Sequence, residues 1–108
     1  MSCVDRPNGQ DPYVDKILGA LLPYKEKHPK AILEAYRRNS ASVRVRVIDP
    51  EFQGMDRVDR ESAVWGYFEP LPGDVQSEIS MLVLVTPRER KTSLASVEFE
   101  HPSPSRLS

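Results

Sequence analysis

The chain has 108 residues, 39% hydrophobic and 29% charged, which is enough to bury one core and too few for two ordinary domains. With 15 Lys and Arg against 16 Asp and Glu the net charge is −1, so no overall field draws nucleic acid or an anionic membrane. Cys3 is the sole cysteine, which excludes an intramolecular disulfide and a cysteine metal cluster within one chain; no apolar run approaches the ~20 residues that span a bilayer, and the expected compartment is the cytoplasm.

Residues 1–10 are rich in turn formers and read as a flexible leader. From Asp11 the pattern changes. Val14, Ile17, Leu18, Leu21 and Leu22 recur at helical spacing, with Pro12 suited to a first turn, and Pro23 ends or kinks that helix. After the charged KEKH, Pro29 is followed by Ala31, Ile32, Ala35 and Tyr36, again at helical spacing, which predicts a second helix over residues 29–38. Asn39 and Ser40 interrupt it. Val43, Val45 and Val47 then alternate with Arg44, Arg46 and Ile48, the period-2 signal of a strand with one buried face and its arginines turned away from the core.

Asp49 and Pro50 end this strand, Gly54 marks a turn, and Asp56 is placed to cap a third helix carrying Val58, Trp65 and Phe68, with Val64 near its inner face. That helix should stop before Pro70 and Pro72, with Gly73 and Asp74 forming a turn. Residues 79–86, ISMLVLVT, are apolar nearly throughout and read as a strand buried on both faces at the centre of the sheet. Strand, helix and strand then make a parallel crossover unit. Residues 94–99 are a possible extra edge strand, and residues 100–108 a disordered tail. The expected fold is a single α+β domain over residues 11–90, with helices packed on one face of a two- to three-stranded mixed sheet.

Among candidate chemical groups, Arg44, Arg46, Arg57 and Arg60, with Arg37 and Arg38, are able to contact phosphates. If about four of them each neutralised one phosphate of a single strand, log affinity would fall with log salt at a slope of roughly −3. The plainer reading pairs them with Glu34, Asp49, Asp56, Asp59 and Glu61 on a solvated surface, and it is preferred because these acids are close in sequence. Trp65, Tyr67 and Phe68 offer a stacking platform, but the helical spacing of Trp65 and Phe68 more simply makes them core. His28 and His101, far apart and each beside a proline, are expected at the surface and give no metal site. No Gly-x-Ser-x-Gly elbow or glycine-rich phosphate loop exists, and the Asp56/Asp59 and Glu98/Glu100 pairs read as ordinary solvated groups, so no catalytic residues are assigned and no cofactor is expected.

The strand VRVRVIDPEF, the Phe-x-Gly turn in FQGMDRVDRESAVWGYF followed by Arg57 and Arg60, and the strand ISMLVLVTPRE with its Thr86, Pro87 and Glu89 close resemble the second half of the BolA family over residues 43–89. The resemblance implies a KH-like arrangement of helices on a three-stranded sheet and a non-enzymatic binding or regulatory role. It also implies a protein partner of the glutaredoxin type. The family's first strand corresponds here to the helical pattern of residues 29–38. The family's histidine, a ligand to a shared iron–sulfur cluster just before the last strand, is replaced by Glu78, or by Ser77 if the register slips by one. Three readings of function follow: docking of a protein partner, nucleic-acid binding through the Arg face, and a homo-oligomer in which Ser42–Ile48 pairs edge to edge with its copy.

Overall fold

The computed structural model describes residues 11–102. The leader assigned to residues 1–10, with Cys3, and residues 103–108 of the expected tail lie outside the described residues. Helices α1 (Pro12–Ala20) and α2 (Leu22–Lys27) lead into a hairpin of β1 (Ile32–Asn39) and β2 (Ser42–Ile48). A 3-10 turn (Pro50–Phe52), α3 (Arg57–Trp65) and α4 (Gly73–Glu78) cross over to β3 (Ile79–Val85), and α5 (Leu94–Glu100) follows. No helix of the described residues is long and apolar enough to cross a membrane.

Local chemistry explains the first helix. Asp11 caps it by accepting from the amides of Tyr13 at 2.9 Å and Val14 at 3.3 Å, and Pro12 begins it. Its stripe of Val14, Ile17 and Leu18 is buried against β1. The helix stops at Ala20, and Pro23 sits in the first turn of α2, whose Tyr24 is buried.

Residues 29–38 do not continue as helix. Ile32–Asn39 is a strand paired antiparallel to β2, Leu33 opposite Val47 and Ala35 opposite Val45. Ala, Leu, Glu and Arg favour a helix locally, but Ala31, Leu33 and Ala35 also fall at period 2 and are buried on one face. Cross-strand packing against the valines of β2 overrides the local preference.

The sheet order is β1-β2-β3, with β2 and β3 parallel as the crossover predicts, Val45 opposite Leu82 and Val47 opposite Leu84. The central strand is therefore β2, and β3 lies at an edge. Residues 79–86 read as central because β3 is covered above and below, not because it has neighbours on both sides. This topology also removes the edge-to-edge homodimer through Ser42–Ile48, since both edges of β2 are already hydrogen-bonded.

Two cores lie on opposite faces of the sheet. Val43, Val45, Val47 and Leu84 pack with Ile17, Leu21, Tyr24, Phe52, Val64, Phe68 and Val75 in the larger one. Burying each such side chain contributes about 1.5–3 kcal/mol. Ile48, Val83 and Val85 face the other way and meet Phe99 of α5, with Tyr36 and Met81 at the margin. Residues 94–99 are thus a helix rather than an edge strand, capped by Ser93 through the amide of Ser96 at 3.3 Å. They add a layer on the sheet's second face, where the sequence predicts helices on one face only.

The crossover differs from the sequence pattern at two places. Gly73 and Asp74 open α4 instead of forming a turn. Asp56 caps α3 as expected, accepting from the amide of Asp59 at 2.9 Å, but only Val64 and Phe68 of the expected stripe are buried. Val58 is 69% exposed and Trp65 37% exposed, so the assignment of Trp65 to the core fails. Trp65 instead packs edge-on against Phe68, ring centroids 5.3 Å apart.

Candidate docking surface

The four arginines singled out by sequence occupy two separate regions. Arg44 and Arg46 lie on the α5 face of β2, and Arg46, far from pointing into solvent, is 2% exposed. Its guanidinium donates to Glu34 at 2.6 Å, to the Ser96 hydroxyl at 2.9 Å and to Glu100 at 2.6 Å, and stacks over the Phe99 ring at 4.7 Å. Burial opposes the charge on Arg46, but Glu34 and Glu100 outweigh it and its pKa is raised. Arg44 donates to Glu98 at 3.1 Å. The period-2 pattern placed both side chains correctly on the face opposite the valines; that this face is roofed by α5 required the tertiary structure.

Arg57 and Arg60 begin α3. Arg57 is 89% exposed at its side chain and pairs with Glu61 one turn on, at 3.2 Å. Arg60 turns inward, donating to Glu89 at 2.6 and 3.1 Å and to the backbone carbonyls of Met55 and Leu84, both at 3.0 Å. Glu89 also closes a reciprocal pair with Thr86: the Thr86 amide donates to the Glu89 carboxylate at 3.0 Å and the Glu89 amide to the Thr86 hydroxyl at 3.1 Å. The Arg60 guanidinium first, and the Thr86 amide after it, hold the Glu89 carboxyl below its ordinary value.

On the outer side of α3, Val58, Trp65 and Leu82 line an open groove of about 520 Å³ rimmed by Glu61 and Glu69. Exposed large apolar side chains gathered beside a free strand edge are a recognised form of docking surface. The sequence pattern pointed to Trp65 but assigned it to the interior. Its neighbours Ser62 and Gly66, both lining the groove, were the available signal, since a buried stripe rarely carries such residues beside it.

His28, expected at the surface, is instead largely covered, with a quarter of its side chain exposed. Its Nδ1 lies 3.2 Å from Asp49 Oδ2 and 3.1 Å from Glu51 Oε2, and its ring stacks on Tyr24 at 4.1 Å. Asp49 is fully buried and accepts from the Tyr24 hydroxyl at 2.6 Å and from the Glu51 amide at 2.9 Å. Burial, and then the Asp49 carboxylate, push the Tyr24 hydroxyl well above its ordinary pKa. His101, at the end of α5, is exposed as expected.

No protein-family model matches the sequence, and no curated protein does so. The solved structure of BolA1 from Arabidopsis thaliana superposes on this chain with a TM-score of 0.52, covering 74% of this chain and 98% of that one at 16% identity. The fold is BolA-like.

Within the BolA-like frame the motifs that carried the resemblance acquire structural roles. The Phe-x-Gly turn buries Phe52 in the larger core and uses Gly54 at φ 84°, a backbone conformation that L side chains rarely adopt. Arg60 and Glu89 belong to two different motifs and bind each other, locking the start of α3 to the end of β3. The strand found at Ile32–Asn39 also removes the departure that the helical pattern of residues 29–38 introduced. The histidine's place is different: Glu78 ends α4 directly before β3 and accepts from Arg37 at 2.7 Å, while the Ser77 hydroxyl donates to the Asp74 carbonyl. An ion-paired carboxylate and a serine do not fit as ligands to an iron–sulfur cluster, which is held by thiolate or imidazole.

Proposed function

We propose that this chain is a cytoplasmic, non-enzymatic binding module that docks a protein partner through the groove between α3 and the free edge of β3. The observation that carries this reading is the exposure of Trp65 and Val58 over Leu82, an apolar strip left uncovered while Phe99 and α5 protect the opposite face of the same sheet. On the rim Glu69 offers an acidic group while Glu61 is already paired with Arg57, which fits a partner segment with an apolar anchor and a neighbouring Lys or Arg. A glutaredoxin-type protein is the first candidate, because the BolA-like fold suggests it. The module would bind such a partner without supplying the family's histidine.

Nucleic-acid binding through Arg44, Arg46, Arg57 and Arg60 has less support, because each guanidinium already has a carboxylate partner and two of them lie under α5. Trp65 is the sole tryptophan, so its fluorescence reports occupancy of the groove directly. The test screens a peptide library and a purified monothiol glutaredoxin against the wild-type chain and against folded Trp65→Ala and Glu69→Lys variants. Ligands that shift the Trp65 emission and lose affinity for both variants support the reading. Ligands that bind all three proteins equally and leave the emission unchanged refute it. Salt-sensitive binding of a labelled single strand, lost on changing the four arginines, would favour nucleic acid instead.

A further inference from the structure

From the geometry around His28, and independently of the docking groove, we infer that His28, Asp49 and Glu51 form a binding site for a divalent transition cation of the zinc type. The three residues come from the end of α2 and from the turn after β2, and their donor atoms all lie within 4.8 Å of one another. The His28 Nδ1 is shielded from solvent, yet among the described residues no hydrogen bond of acceptable geometry joins it to a partner, although two carboxylate oxygens stand 3.1 and 3.2 Å away. A buried nitrogen left without a hydrogen bond carries a desolvation cost, and a cation held by the imidazole and the two carboxylates beside it would remove that cost.

The spacing agrees. Tetrahedral zinc with bonds of about 2.0–2.1 Å separates its donors by about 3.3–3.4 Å; the 3.2 and 3.1 Å separations from His28 would open slightly, and the two carboxylates, whose donor atoms lie within 4.8 Å of each other, would draw together on the cation. One imidazole and two carboxylates also neutralise a divalent charge. A nitrogen donor disfavours Mg2+ and Ca2+, which prefer all-oxygen shells, and suits Zn2+ and its first-row neighbours.

The surroundings hold these donors in place. Asp49 is fixed by the Tyr24 hydroxyl and the Glu51 amide, and its own amide donates to the Val85 carbonyl at 2.9 Å, tying the ligand to the end of β3. Stacking on Tyr24 sets the plane of the imidazole. These are the outer contacts that orient ligands in metal sites. Glu51 is the most exposed of the three and leaves a side of the cation open to water or to an external donor. The bound cation would staple the α2–β1 junction to the turn following β2.

Binding of Zn2+ is measured by competition with a chromophoric chelator, with Mg2+ as the second arm, in a Cys3→Ser background that removes the thiol. Variants His28→Gln and Glu51→Gln change partly exposed side chains and are checked by circular dichroism for a retained fold; His101→Gln is the control. The expected result is a single Zn2+ per chain, no uptake of Mg2+, and affinity lower by at least ~10-fold in each ligand variant and unchanged in the control. Zn2+ should also raise the melting temperature of the Cys3→Ser protein and shift the nitrogen resonance of His28 Nδ1 rather than Nε2. Absence of saturable Zn2+ binding, equal affinity in the parent and both ligand variants, or a shift confined to Nε2 overturns the site.

Discussion

Truncating Arg46 should be the most damaging single change on the α5 face. Arg46→Ala removes donors to Glu34 and Glu100, both at 2.6 Å, and to Ser96 at 2.9 Å, and leaves a cavity under Phe99. Breaking a buried ion pair from one side costs about 3–5 kcal/mol, because a charge is left without its partner; here Glu34 loses Arg46, while Glu100 keeps Arg90 at 3.0 Å. Glu34 and Glu100 keep some access to water, at 16% and 30% side-chain exposure, so the lower end, about 3 kcal/mol, applies. At roughly 4–8 °C per kcal/mol for a domain of this size, the melting temperature should fall by roughly 12–24 °C. Arg46→Met, which fills the volume without demanding charge partners, should cost less than Arg46→Ala. Circular dichroism melts and urea titrations measure both, with Arg57→Ala as an exposed control expected within about 0.5 kcal/mol of wild type. If Arg46→Ala melts within a few degrees of Arg57→Ala, α5 does not pack on the sheet as described.

Two other outcomes follow from the same contacts. Tyr24→Phe leaves buried Asp49 without its hydroxyl donor and should destabilise by about 1–3 kcal/mol, read as a shift in the urea midpoint at constant slope. Arg60, and then the Thr86 amide, depress Glu89, and Arg90, then Arg46, depress Glu100, so both carboxylates have folded-state pKa values below the ordinary 4.5. Their contribution to stability is fully present above that value and is lost as pH falls through the lowered folded pKa, so stability should drop on acidification below about 4.5. Glu89→Gln should flatten part of that drop, and a parallel acid profile in the variant would contradict the Arg60 pairing.

Elements whose signal is local were legible in the residue pattern alone. The α1 stripe of Val14, Ile17 and Leu18, the alternation of Val43, Val45 and Val47, and the Asp56 cap of α3 each depend on contacts within a few residues. The strand–helix–strand order likewise implied the parallel pairing of β2 with β3. Even the motifs FQG, Arg60 and Thr86 to Glu89 could be read as a family resemblance, because their spacing reflects a turn, a helix start and a reciprocal hydrogen-bonded pair.

Partners far along the chain lay beyond that pattern. Residues 29–38 satisfy helical and strand periods alike, and the valines of β2 select the strand. ISMLVLVT announces burial on two faces but says nothing of lateral neighbours, so an edge strand covered by α3, α4 and α5 reads like a central one. Residues 94–99 became a helix whose Phe99 and Ser96 cover Arg46, 50 or more residues earlier, turning an apparently solvent-facing arginine into a buried one. His28 gained Asp49 and Glu51 in the same way, and Trp65 lost its place in the core because Val64 and Phe68 had already filled it. Periodicity reports that a face is apolar; which element covers that face, and which charge meets which, depends on packing between segments that the local pattern does not encode.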